Sequence, residues 1–329
     1  MAQPSTPLVV ITRAIPTPDG APPTIGGAAV RMGHPTEDLT QQQLLDSVRG
    51  ATAVVSMFHD RVDDAFIEAA GPQLRGVVNY AVGYNNFDLA ACARRGVVAC
   101  NTPDAVTEGT ANIAWGLILA VARRIAAGDR FCRSGGFAKL GNIPPTLWLG
   151  AHTAGQTLVI VGAGRIGMAV ALRGLAFGMR VLYVARSRHV EFEIAPVAAR
   201  RVSLEEGLAL ADVVSLHTPL SGQTRHLINR QRLALMKPTA ILVNTARGPV
   251  VDEAALAEAL AQGRIFGAGL DVFEREPEIH PGLAALDNVV MTPHIGSAER
   301  HFRLLMTEMV CENVAAILAG REPPNRIHG

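Results

Sequence analysis

Three polar residues in the last third of the chain, Arg247, Glu276 and His294, carry side chains that together could reduce a carbonyl. Each follows a short apolar run. Arg247 lies in Asn244-Thr-Ala-Arg-Gly248 after Ala240–Val243, and Glu276 in Asp271-Val-Phe-Glu-Arg-Glu-Pro277 after Gly267–Leu270. His294 lies in Thr292-Pro-His-Ile-Gly-Ser297 after Val289–Met291. If those runs are parallel strands, all three residues stand at strand C-terminal ends, where open α/β sheets bind ligands. An arginine fork there can hold a carboxylate, and an imidazole can give a proton to a forming alkoxide. A carboxylate beside the ring orients it and favours its charged form. Singly, each residue is more often a solvated loop charge or a structural histidine, so the case rests on the set.

Carbonyl reduction also needs a hydride donor. Gln156–Val161 runs directly into Gly162-Ala-Gly-Arg-Ile-Gly167 and then into a helical pattern. Gly162 permits the tight turn, Gly164 lets backbone approach a pyrophosphate, and Gly167 allows close helix–strand packing. The helix start then offers free amides and a partial positive charge. A lone G-x-G-x-x-G is weak, but framed by a strand and a helix it is a dinucleotide fingerprint. At the end of the next strand, Tyr183-Val184 is followed by Ala185-Arg186-Ser187-Arg188, with no acid. An Asp or Glu there would accept from a ribose 2′-hydroxyl, whereas arginines suit a 2′-phosphate. The chain is arginine-rich, with Lys139 and Lys237 its only lysines, so plain solvation of a loop is the alternative for Arg186 and Arg188. The expected cofactor is NADP(H), with NAD(H) possible.

Short β-branched runs alternate with helical patterns along the chain. Leu8–Ile11, Ala53–Met57, Gly76–Tyr80, Val97–Cys100, Thr157–Val161, Arg180–Ala185 and Val213–His217 join the three runs above as strands. Helices are expected over Thr40–Val48, Asp63–Ala70 and Asn86–Arg94, over one long stretch from Thr107 to about Ala127, and from His301 to Ala319. The Gly135–Thr153 segment reads as loop, and Pro16, Pro18, Gly20, Pro22 and Pro23 break any helix after the first strand. The alternation predicts an α/β fold of two Rossmann- or flavodoxin-like parallel-sheet domains meeting near residue 105. Spacing does not decide which domain takes the last helix.

Composition narrows the partners. Across 329 residues, 49% hydrophobic and 18% charged content fits a well-buried globular protein. With 30 basic against 29 acidic residues, the net charge of +1 offers nothing to nucleic acid or an anionic membrane. The longest apolar stretch, Ala111–Ala122, is too short to span ~30 Å of hydrocarbon. The N-terminal Met-Ala-Gln-Pro-Ser-Thr-Pro lacks the pattern of a secretory leader. Cys92, Cys100, Cys132 and Cys311 form no ligand or disulfide motif, which favours reduced thiols and no metal. A soluble, cytoplasmic protein is expected.

Over essentially its whole length the sequence resembles the D-isomer-specific 2-hydroxyacid dehydrogenases, closest to the glyoxylate/hydroxypyruvate reductases. The likeness is carried by Tyr80-Ala-Val-Gly-Tyr-Asn-Asn-Phe-Asp88, Asn101-Thr-Pro-Asp-Ala-Val-Thr107, Gly269-Leu-Asp-Val-Phe-Glu-Arg-Glu-Pro277, His294-Ile-Gly-Ser297 and the spacing of Arg247, Glu276 and His294. The resemblance implies a discontinuous substrate domain (1–105 plus 298–329) with an NAD(P)-binding Rossmann domain (106–297) inserted, a site in the cleft, and a homodimer. It implies that Val82 and Gly83 amides and Arg247 bind the carboxylate of a small 2-oxo or 2-hydroxy acid, and that His294 is the general acid. Asp271 would hold the nicotinamide carboxamide. Thr110, Arg165 and Ile166 would lie at the phosphates, and His217-Thr218-Pro219 at the adenosine. Thr245 and Gly296 would complete the cofactor contacts. Relatives often carry tryptophan where this chain has Phe137. A bulkier 2-oxo acid is the alternative substrate, and a dinucleotide-sensing corepressor of the same fold is a distant alternative function.

Overall fold

The computed structural model describes residues 6–328; Met1–Ser5, read above for a leader, and Gly329 lie outside the described residues. Twelve strands form: β1 (Leu8–Ile11), β2 (Ala29–Met32), β3 (Ala53–Ser56), β4 (Gly76–Asn79), β5 (Val98–Cys100) and β6 (Thr157–Val161). The others are β7 (Arg180–Val184), β8 (Arg200–Arg201), β9 (Val213–Leu216), β10 (Ile241–Asn244), β11 (Gly267–Leu270) and β12 (Val289–Met291). They build two parallel sheets, one of five strands in the order β2-β1-β3-β4-β5 and one of seven in the order β12-β11-β10-β9-β6-β7-β8. Contacts divide the chain into two compact units, residues 1–106 with 297–329, and residues 107–296.

In the first unit, β3 and β4 are buried along their full length, as expected of strands covered on both faces. The last helix, Arg300–Leu318, belongs to this unit and packs on β4, where a Cβ added at Gly76 would come 2.7 Å from Ile317 Cδ1. Three helices here begin on side-chain caps. Thr40 forms a capping box with Gln43, and Asp63 and Asp88 accept from the amides of Phe66 and Ala91. Among the described residues no helix stands between β1 and Gln41–Ser47, where the prolines cluster.

In the second unit, Leu158 and Ile160 pack to one side of β6 and Val159 and Val161 to the other, all essentially inaccessible. Each such side chain contributes roughly 1.5–3 kcal/mol by leaving water. This two-sided burial makes β6 a rigid base for the glycine loop that follows it.

Three expectations need correction. The long helix ends at Ala122, and after Arg124, left-handed at φ +53°, a second helix (Ile125–Arg133) departs at 64°. The cause is tertiary. The returning segment at Gly150 comes so near that an added Cβ would lie 2.2 Å from the Ala122 carbonyl oxygen. There the Ala151 amide donates to that oxygen at 2.9 Å, and Arg124 Nε donates to the Leu149 carbonyl at 2.9 Å. The segment read as loop from Gly135 contains a short helix, Gly136–Leu140. Strands β2 and β8 were not expected. Both are sheet edges with exposed positions, and β8 consists of two exposed arginines, so neither writes an apolar run into the sequence. Among the described residues no single helix is long and apolar enough to cross a membrane, no group of metal-ligating side chains forms, and the cysteines are unpaired.

Candidate active site

Five loops that leave C-terminal ends of strands in the seven-stranded sheet carry most of the predicted residues of the second unit; Arg186–Arg188 follow β7, and Thr110 lies on the helix Thr107–Ala122. Gly162–Gly167 follows β6, His217–Pro219 follows β9, and Thr245–Arg247 follows β10. Asp271–Glu276 follows β11, and Thr292–Gly296 follows β12. Strand β6 lies between β9 and β7, so strand order reverses there, and such a switch point opens a crevice.

The glycine loop is built for close approach. Gly162 has φ +106°, and a Cβ there would lie 2.6 Å from the His217 carbonyl group. A Cβ at Gly167 would lie 2.3 Å from the Gly162 oxygen, whereas at Gly164 it would meet open space. Gly164 is the N-cap of helix Arg165–Ala176 and, as a glycine, brings no side-chain cap to the helix start. Nearby strand ends hold buried polar atoms without a partner among the described residues: His217 Nδ1, Thr218 Oγ1 and Thr245 Oγ1. A bare turn at the open end of β6, an uncapped helix start and orphaned polar atoms are what a dinucleotide would satisfy. His217 Nε2 and Ser215 Oγ share a hydrogen bond of 2.8 Å, and burial pushes the imidazole pKa down to about 3. This histidine is neutral at working pH. Gly296 sits beside Thr110, where a Cβ would come 3.2 Å from Thr110 Oγ1.

These clearances give a direct test. Gly162→Ala places an alanine in a left-handed conformation and against backbone, costs of about 1–3 kcal/mol for the strain alone. Calorimetry should show the dinucleotide Kd raised at least tenfold; an unchanged Kd would sink the cradle.

At the end of β7, Arg186, Ser187 and Arg188 are exposed. Arg188 Nε donates to Glu193 Oε2 at 2.6 Å, and Tyr183 Oη donates to Glu193 Oε1 at 2.7 Å. Arg201 Nη2 donates to the carbonyls of Ala185 at 2.9 Å and Arg186 at 2.7 Å, fixing the loop backbone. Arg188 is therefore already neutralised, while the Arg186 guanidinium makes no ion pair among the described residues.

The structure brings the histidine and the glutamate together. His294 Nδ1 lies 2.8 Å from Glu276 Oε2, and Glu276 Oε1 accepts from the Phe273 amide at 2.9 Å. Burial alone would raise the Glu276 carboxyl, but His294, the Phe273 amide and Arg247 together hold it below the usual carboxylate range. His294 is itself left-handed, at φ +53°. The buried Asp271 holds that conformation from both sides. It accepts from Thr292 Oγ1 at 2.6 Å, from the Ile295 amide at 2.9 Å and from the Gly296 amide at 2.8 Å. Burial raises the Asp271 carboxyl despite these donors. The Glu276 turn is tied down at Glu274, whose amide donates to the buried Glu253 at 2.8 Å and whose carboxylate pairs with His226.

Arg247 stands on a turn clamped by Asn244. That buried side chain donates to the Arg247 carbonyl at 3.0 Å and accepts from the Ala246 amide at 3.0 Å. The next residue, Gly248, packs so tightly on the other turn that a Cβ would lie 1.8 Å from the Phe273 carbonyl carbon. The turns carrying Arg247 and Glu276 are thus stacked backbone on backbone. Desolvation lowers the Arg247 pKa and the Glu276 charge works against that. Sequence reading passed over Asn244 and Glu193 as functional positions. A polar residue closing the apolar run Ile-Leu-Val-Asn was the available signal for the first. In the first unit, Val82 and Gly83 form a loop after β4, with their carbonyls accepting from Asn101 and Asn79.

Residues 115–296 match the model of the D-isomer specific 2-hydroxyacid dehydrogenase NAD-binding domain. Over 323 residues the chain is 46% identical to a glyoxylate reductase of Thermococcus onnurineus, covering 98% of this chain and 96% of that one. A crystal structure of a Thermus thermophilus protein, 44% identical, superposes with a TM-score of 0.88 over 98% of this chain and all (100%) of the other. An NADPH-dependent glyoxylate/hydroxypyruvate reductase from Sinorhizobium meliloti, solved with NADP and malonate, is 28% identical with a TM-score of 0.81. That match covers 98% of this chain and 97% of the other.

Proposed function

The chain belongs to the D-isomer specific 2-hydroxyacid dehydrogenase family, and on that premise we propose that it is an NADPH-preferring reductase of glyoxylate and hydroxypyruvate with His294 as general acid. It is an oxidoreductase of 2-oxo acids that uses a nicotinamide dinucleotide. The observation that carries the acid–base reading is the His294–Glu276 hydrogen bond, held beside the Arg247 turn.

In the second unit Arg247 takes a substrate carboxylate and polarises the carbonyl; in the first, the amides of Val82 and Gly83 are the groups for binding a carboxylate. Glu276 accepts from Nδ1, which orients the ring and favours the imidazolium, so that the proton on Nε2 passes to the carbonyl oxygen and leaves the neutral Nδ1–H ring. When bound, the reduced nicotinamide supplies the hydride. Asp271, whose oxygens hold the His294 loop, would also receive the carboxamide. Gly162, Gly164, Arg165, Ile166, Gly167 and Thr110 would hold the phosphates, and Arg186 with Ser187 a 2′-phosphate. In this reading the first unit is the substrate domain and the second the cofactor domain.

A homodimer would cover the segment 125–149, which leaves Ile125, Phe137, Leu147 and Leu149 between 47% and 64% exposed. Unpaired thiols favour the cytoplasm.

Nicotinamide absorbance with glyoxylate and with hydroxypyruvate, run in parallel with NADPH and NADH, tests the reading. NADPH should be oxidised much faster, and Arg186→Ala should erode that preference by about tenfold, because a charge-assisted hydrogen bond to the phosphate is lost. NADH preference in the wild type would remove the phosphate site and leave the reductase. A lack of turnover with both acids would remove glyoxylate and hydroxypyruvate as substrates.

A further inference from the structure

The loop after β4 pins three successive carbonyls and leaves their partner amides unspent. The Ala81 carbonyl accepts from the Thr102 amide at 3.0 Å, the Val82 carbonyl from Asn101 Nδ2 at 2.7 Å, and the Gly83 carbonyl from Asn79 Nδ2 at 2.7 Å. In a planar trans peptide the N–H points opposite its C=O. The amides of Val82, Gly83 and Tyr84 therefore point away from Thr102, Asn101 and Asn79, and none donates to an acceptor among the described residues. Consecutive unspent amides make a concave anion site. Asn79 is fully buried and cannot drift. Its Oδ1 accepts from Ser56 Oγ at 3.3 Å, and its Nδ2 also reaches Asn86 Oδ1 at 3.1 Å, while Asn86 is anchored on the carbonyls of Met57 at 3.1 Å and Asp60 at 2.9 Å.

We infer that Asn79 and Asn101 are positioning residues for the substrate carboxylate, aiming the amides of Gly83 and Tyr84 by holding the carbonyls of Val82 and Gly83, beside the Val82 amide that the Thr102–Ala81 bond aims. The inference rests on the reading that this loop binds the carboxylate. It extends that reading by a third amide, that of Tyr84, and by two side chains that never touch the substrate.

Asn101→Ala removes one pin at a half-buried position. It should raise KM for glyoxylate and the inhibition constant of oxalate by about tenfold each, with kcat and the dinucleotide Kd within twofold. Asn101→Asp replaces the donor by a carboxylate that repels the Val82 carbonyl. Its KM relative to wild type should rise from pH 5 to pH 8, because only the protonated acid can donate; a plain packing defect gives no such trend. An unchanged KM in Asn101→Ala overturns the inference, as does a uniform decline of kcat, KM and dinucleotide affinity. A wild-type protein that neither reduces glyoxylate nor binds oxalate overturns the parent reading, and the inference with it.

Discussion

Replacing His294 by alanine is expected to lower kcat for glyoxylate reduction by at least about two decades, within the ~10²–10⁴-fold that general acid catalysis supplies. Dinucleotide affinity should persist, because the glycine cradle after β6 and the orphaned atoms of His217, Thr218 and Thr245 do not involve the imidazole. The left-handed backbone at φ +53° complicates the simple deletion, so His294→Asn is the better control. Asparagine tolerates that region more readily than most residues and removes the titratable proton while keeping the turn. Both variants should show the same loss of kcat, measured across pH, with calorimetry reporting NADPH binding separately. The partner behaves predictably with pH. Glu276 is held below the ordinary carboxylate range, so its share of stability is complete above that range and is lost as pH falls through the lowered folded value. Between pH 5 and 8 it is therefore an anion able to accept from Nδ1. A kcat within threefold of wild type in either variant would remove His294 from the acid role.

The sheets were legible because their central strands are buried on both faces. Thr157–Val161 and Ile241–Asn244 are apolar without alternation, and that pattern marks a covered parallel strand. The edges β2 and β8 are partly or wholly exposed and carry no such mark. The break at Arg124 is equally invisible, since Ile113, Leu117, Val121 and Ile125 continue the helical period through it. Only the docking of Gly150 onto Ala122, distant in sequence, ends the helix. For the site, the chain showed which polar residues close which strands, and not what holds them. Asp271 gripping both flanks of His294, and Asn244 clamping the Arg247 turn, are contacts set by the register of β10, β11 and β12. The arginine pair after β7 reads as two equivalent cations in sequence. The turn at Val190–Glu193 brings Glu193 back onto Arg188 and leaves Arg186 as the cation with no ion pair among the described residues.

Arg247→Ala should act on substrate rather than on the proton. The guanidinium stands on a turn whose backbone is clamped by Asn244 and stacked against the Glu276 turn, so the side chain is presented by a rigid base. Its cost to stability is limited, since the clamp acts through the Arg247 carbonyl, which alanine retains. Losing one partner of a desolvated, hydrogen-bonded charge pair costs about 2–5 kcal/mol, or roughly 30- to several-thousand-fold in kcat/KM. Most of that should appear in KM for glyoxylate, with a further fall in kcat to the extent that the guanidinium polarises the carbonyl more strongly as charge develops on oxygen. Arg247→Lys separates the two contributions. It restores a positive charge but not the planar fork, so it should recover part of KM and little of kcat. Because Glu276 feels the Arg247 charge, Arg247→Ala should also let the Glu276 carboxyl titrate at higher pH than in wild type, moving the acid limb of the kcat profile upward. Unchanged KM and kcat in Arg247→Ala would refute the assignment. An unmoved acid limb beside a raised KM would keep the carboxylate contact and sever its electrostatic link to the Glu276–His294 pair.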